Sequence, residues 1–138
     1  MKRMAVLAWL VVVCVTPLVA EIAPVEYQKM QSGAPDHVEI SVERVKVRWV
    51  LFTRTSNVTV HAKITDVYSS LSNLSIGDSI TITYEHYKSP SRGWTGPRAI
   101  PILKKREITE AFLAFDTETN TYVPAARGAS FEPLVPIR

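Results

Sequence analysis

The segment Val38–Trp49, VEISVERVKVRW, decides how the rest of the chain is read. Val38, Ile40 and Val42 alternate with Glu39, Ser41 and Glu43; Val45, Val47 and Trp49 then alternate with Lys46 and Arg48. Each half has the two-residue period of a half-buried strand, yet the phase slips by one residue at Glu43 and Arg44. Such a slip sends the apolar face to the wrong side unless a bulge absorbs one residue or a turn ends the strand. Glu43-Arg44 lacks the Gly or Asn of a two-residue hairpin turn, so one long bent strand is expected. A bent strand serves both halves of a curled sheet, which points to a small barrel.

Downstream, Val58, Val60, Ala62 and Ile64 alternate with Thr59, His61, Lys63 and Thr65, after a turn expected at Arg54–Asn57. A polar link, Ser69–Ser75, leads to Gly77-Asp78 and then Ile80, Ile82 and Tyr84, whose β-branched neighbours make this the clearest strand. Lys88–Arg98 holds Pro90, Gly93, Gly96 and Pro97 around Trp94 and reads as a long loop. Ile100–Leu103 return to the core, Lys104–Arg106 form a basic turn, and Glu110–Asp116 and Tyr122-Val123 are further strands. No window of 11 residues or more carries a helical period, and Glu21–Pro35, with Pro24, Gly33 and Pro35, reads as a loose arm. The expected fold is all-β, a small five- or six-stranded antiparallel barrel, because closure protects the edges of a small sheet.

The first twenty residues have a different composition. Lys2 and Arg3 precede an apolar stretch, Met4–Val15, and the first acid is Glu21, the layout of a secretory signal peptide cut after Ala20. The apolar run is shorter than the roughly 20 residues that span a bilayer. Residues 1–20 are therefore expected to be a signal peptide, 21–37 an N-terminal arm, 38–134 the barrel domain and 135–138 a tail. The working protein would be periplasmic or secreted, with no membrane span after cleavage. Cys14, the single cysteine, falls within the leader, so the mature chain would have no disulfide, thiolate metal site or cysteine nucleophile. Loss of Lys2 and Arg3 leaves 14 of the 16 basic residues against 13 acids, a net charge of +1 that does not call for nucleic acid.

The bent strand, "AKITDVYSSL" and "LSIGDSITITYEHY" together resemble the oligonucleotide- and oligosaccharide-binding (OB) barrel, and within it the netrin-like modules that include tissue inhibitors of metalloproteinases. "GPRAIPIL", "EAFLAF" and "YVPAARGASFEPL" are similar to phrases of small exported bacterial proteins with this barrel. The resemblance implies a fold and binding at barrel loops. Those inhibitors hold a protease zinc through an N-terminal cysteine that this chain would lack, so their mechanism does not transfer.

The chemistry-bearing residues are scattered. His37, His61 and His86 have no metal-ligand spacing, and the serines have no Gly-x-Ser-x-Gly elbow. Asp78 is expected to serve the Gly77-Asp78 turn. No cofactor, metal or catalytic residue is expected, and the chain is read as a non-catalytic binding module. Its candidate contacts are Tyr87, Lys88, Arg92, Trp94 and Arg98, residue types enriched at binding centres, with Lys104, Lys105 and Arg106 nearby. The expected partner is a protein or glycan of the cell envelope. Two alternatives stand beside it: a hydrolytic or metal-dependent enzyme built on His61, His86 and Glu85, and a binder of single-stranded nucleic acid.

Overall fold

The computed structural model of the protein describes residues 23–88 and 96–134. The expected signal peptide, the tail, Arg92 and Trp94 lie outside the described residues. Five strands, β1 (Asp36–Trp49), β2 (Thr55–Ser70), β3 (Ser79–Tyr87), β4 (Ile108–Asp116) and β5 (Thr121–Pro124), close into a barrel in the order β1-β2-β3-β5-β4. This closed five-stranded cylinder is consistent with an OB-like fold. Four of its pairings are antiparallel; β3 meets β5 in parallel through one bridge, Ile82 to Tyr122.

The slip in the sequence is a bulge. Val42 pairs with Ala62 and Arg44 with His61, leaving Glu43 as the extra residue. Up to Ser41 β1 is held on both sides, by β2 and by β4; beyond the bulge the pairing with β4 has ended and β2 alone accompanies it. Extra residues at Thr65 and Tyr68 do the same for β2, since Glu39 and Ile40 pair with Asp66 and Ile64, and His37 and Val38 with Ser69 and Val67. Bulges add local twist, and here they curl a pair of long strands round a core.

The barrel interior is filled by the alternating residues: Val38, Ile40 and Val42, then Val58, Val60, Ala62 and Ile64, then Ile80, Ile82 and Tyr84. Leu103 and Phe131 complete it, and the Tyr84 and Phe131 rings lie 5.6 Å apart. The Tyr84 hydroxyl donates to the Pro101 carbonyl at 2.8 Å and accepts the Leu103 N–H at 3.4 Å. Burial raises its pKa from the ordinary 10.0 to about 12. In the unfolded chain this phenol ionises near 10.0, so the unfolded state gains over the folded one above that pH. We expect stability to fall between about pH 10 and pH 12, and Tyr84→Phe to remove part of that slope in denaturant titrations at each pH. Identical slopes in the two proteins would contradict the burial of this group.

The arm differs from expectation. Pro24–Ser32 is an α-helix, α1, with Pro24 in its first turn and Glu26 near its positive end. Tyr27 and Gln31, four residues apart, share its buried face. Tyr27 packs with Phe112, Ala126 and Ala129 in a second cluster outside the barrel, and the Gln31 amide donates to the carbonyls of Ala129 (2.9 Å) and Pro133 (3.2 Å). That cover explains why Ala111, Phe112 and Leu113 are all buried in succession: Phe112 has α1 above it while its neighbours face the interior. Asp36, fully buried at the start of β1, accepts from Ser70 Oγ (2.7 Å), Ser72 Oγ (2.9 Å) and Ser72 N–H (3.2 Å), and so pins the end of β2 and the chain after it. Among the described residues no helix is long and apolar enough to cross a membrane.

Candidate binding surface

Past the bulge, β1 and β2 run on as an arm of the sheet, with β3 paired to β2 along it, and the arm ends in an apolar tip. Trp49 pairs with Ser56, and the Val50 N–H donates to the Thr55 carbonyl at 3.1 Å. A tight turn over Val50–Thr53 follows, closed by the Thr53 N–H (3.3 Å) and Thr53 Oγ1 (3.0 Å), both donating to the Val50 carbonyl. The turn therefore precedes the Arg54–Asn57 position expected from sequence, and β2 already begins at Thr55.

Phe52 occupies the third position of this turn with φ 63°, in the left-handed region. Gly or Asn is the usual occupant of such a position, because a side chain there crowds its own backbone at about 1–2 kcal/mol. Phe52 gains no packing in exchange. It is fully exposed, with Leu51 81% and Trp49 57% exposed beside it. Strained, solvent-facing residues of this kind are the sites where selection for something other than stability shows.

Two of the sequence candidates lie beside this tip. Tyr87 pairs with Thr55, and the Lys88 N–H donates to the Arg54 carbonyl at 2.9 Å. Arg98 belongs elsewhere: its guanidinium lies 4.5 Å over the Tyr27 ring and reaches Glu132 at 2.8 Å, and its N–H donates to the Tyr27 hydroxyl at 3.2 Å. It ties the exit of the long loop to α1. The basic turn Lys104–Arg106 is also remote from the tip, because the Arg106 N–H donates to the carbonyl of Val42, next to the bulge.

The enzyme candidates are not assembled. His61 pairs with Thr81 and His86 with Ser56, five residues apart along β2 or roughly 16 Å. His86 Nδ1 is held by the Ile100 carbonyl at 2.7 Å and His61 Nδ1 lies 3.3 Å from Thr81 Oγ1. Asp78 performs the turn role expected of it, accepting the Ser75 N–H at 2.8 Å. His37, stacked 4.1 Å from Phe112, pairs with Glu110 at 2.8 Å. Among the described residues no three His, Cys, Asp or Glu side chains converge on a metal position.

No family model and no curated protein matches this chain.

The outer face behind the tip is polar. Across β1, β2 and β3 the rows read Arg44–His61–Thr81, Lys46–Thr59–Thr83 and Arg48–Asn57–Glu85. These side chains offer donors and hydroxyls, and Arg44 and His61 border shallow concavities of about 400 and 470 Å³. A third concavity, of about 560 Å³, lies against the tip between Arg48, Asn57 and Trp49–Leu51. From Arg44 to Thr65 the sequence contains no acid, so the arm is uniformly cationic.

The sequence reading does not single out the tip, because Trp49 completes an alternating run and the turn is expected later, at Arg54–Asn57. The signal was nevertheless present: Trp49-Val50-Leu51-Phe52 is four apolar residues in succession, which a strand with one solvated face does not need.

Proposed function

We propose that this chain is an exported, non-catalytic binding module that engages a partner of the cell envelope through its barrel loops. The contact is the β1–β2 tip, Trp49–Arg54, together with Tyr87 and Lys88. The observation that carries this is Phe52, an apolar side chain held in a left-handed turn and entirely in water. Large exposed aromatics set among arginines are the composition of binding centres, and rigid barrels commonly present their ligands to loops. The netrin-like resemblance of the sequence fits the same habit of loop binding.

The test separates binding from folding. Phe52→Asn replaces a strained residue with one suited to the turn, so the variant should unfold at the parent's temperature or a few degrees above it. In cross-linked recovery from an envelope extract it should retain less than about a tenth of the parent's partner, the loss expected for one central aromatic. Equal recovery by a folded variant would reject the tip as the contact. Single-stranded nucleic acid is the second reading, favoured by the cationic rows of the outer face; an oligonucleotide that competes away the recovered partner at low salt would support it.

A further inference from the structure

We infer that the surface recognised by the tip is an anionic phospholipid bilayer, into which Leu51 and Phe52 insert while the cations behind them meet the phosphates. This rests on the proposal that the tip is the contact, and goes beyond it in naming the partner.

The directions of the side chains favour a fluid over a shaped pocket. In a strand, alternate residues face opposite ways, so a partner docking on one side meets every second residue. Here Trp49, Val50, Leu51 and Phe52 are all exposed in sequence around a turn. Consecutive residues on a turn radiate, and an apolar medium surrounds such a tip from every side. The turn residues Leu51–Thr53 lie past the Thr55–Tyr87 row, at the end of the arm. Interfacial segments bury their apolar groups about 5–10 Å deep, within reach of an apex of two large side chains.

Charge and polarity are layered to match. Lys46, Arg48, Arg54 and Lys88, all exposed, stand behind the apolar apex, and the cationic arm has no acid between Arg44 and Thr65. Trp49 and Tyr87, 57% and 42% exposed, lie at the boundary between apex and collar. Amphipathic aromatics occupy that level in membrane-bound proteins because the headgroup region suits a ring with one polar edge. Arg48 and Asn57, paired across the ladder, line the 560 Å³ concavity beside the apex and supply donors that suit a lipid phosphate. Glu85, opposite Asn57, shares its row with Arg48 and is the acid that the collar carries in the ladder, against the four cations Lys46, Arg48, Arg54 and Lys88.

The experiment is flotation of the full chain with vesicles of equimolar phosphatidylglycerol and phosphatidylcholine, and with phosphatidylcholine alone. Parent and variants share the same N-terminal segment, so differences among them report the hairpin. The parent should prefer the anionic vesicles. Leu51→Ser combined with Phe52→Asn should weaken that binding roughly 30-fold or more, from lost apolar transfer. Arg48→Gln combined with Arg54→Gln should weaken it roughly 25-fold at low salt, about fivefold for each cation at the surface, and narrow the preference for anionic vesicles by the same factor, Lys46 and Lys88 supplying what remains. Equal partition of the parent to both vesicle types, or partition unaffected by the apex change, would overturn the inference. If the parent ignores vesicles while its recovery of an envelope protein still depends on Phe52, the lipid assignment falls and the binding-module proposal stands. If that recovery is independent of Phe52 as well, both fall.

Discussion

Ile82→Ala should cost about 3–4 kcal/mol of unfolding free energy and lower the melting temperature by roughly 12 °C. Ile82 is fully buried at mid-strand in β3, paired with Val60 on one side and bridged to Tyr122 of β5 on the other. Truncation removes three carbons' worth of contacts and leaves a void that the surroundings do not refill, because ladder hydrogen bonds to β2 and the bridge to β5 hold the neighbouring backbone in place. Since the total stability of a domain this size is about 5–15 kcal/mol, a large fraction is at stake. Ile76→Ala is the matched control: the residue is 68% exposed before β3, and its replacement should change stability by less than about 0.5 kcal/mol. A melting temperature for Ile82→Ala within 2–3 °C of the parent, measured alongside that control, would contradict the interior placement of Ile82.

Gly128→Ala should be the second large loss, about 2–4 kcal/mol, for a reason unrelated to cavities. A Cβ at Gly128 would sit 2.7 Å from both the Cβ and the carbonyl oxygen of Arg98. Real structures do not tolerate either distance, and one of the two atoms is backbone, so rotation of a flexible side chain gives no relief. The segment carrying Arg98 has to move, and with it go the hydrogen bond to Tyr27 and the cation–π contact that fasten the loop exit to α1, and the ion pair that fastens it to Glu132. Truncating Arg98 should therefore fail to rescue Gly128→Ala, because the carbonyl clash survives. The check is thermal unfolding of both single variants and the double variant. An alanine variant that melts with the parent would show that these segments do not approach so closely.

Much of the barrel was legible in the residues themselves. The phase slip at Glu43-Arg44 became a bulge, and the alternation in β2 and β3 became the interior face, because a strand with one wet side writes its orientation into the sequence. The helix was hidden for a physical reason. Its second anchor is Gln31, which is buried by donating two hydrogen bonds to distant carbonyls, so its apolar pattern is interrupted at the very residue that docks it. In β4, Phe112 breaks alternation because α1 covers the outer face, and only the fold reveals that cover.

The surroundings of the candidate residues were only half readable. Tyr87 and Lys88 do meet the hairpin tip, through backbone pairing with Thr55 and Arg54. Arg98 was grouped with them by proximity in sequence, and nothing local announced Tyr27 or Glu132, which are 71 and 34 residues away. The turn position was misjudged because its left-handed residue is Phe52, and turn chemistry is recognised by Gly or Asn.

The parallel seam between β3 and β5 has a consequence of its own. One backbone bridge, Ile82 to Tyr122, and one side-chain hydrogen bond, between the Thr83 and Thr121 hydroxyls at 2.7 Å, join them, whereas β2 and β3 are paired over nine rows. A cylinder sewn so unevenly breathes along its thinnest stitching, so transient opening admits solvent beside β5 while the hairpin arm, stitched along its full length, keeps its shape. The apolar tip is thus carried by the more fully paired half of the wall, and fluctuations at the seam need not reach it.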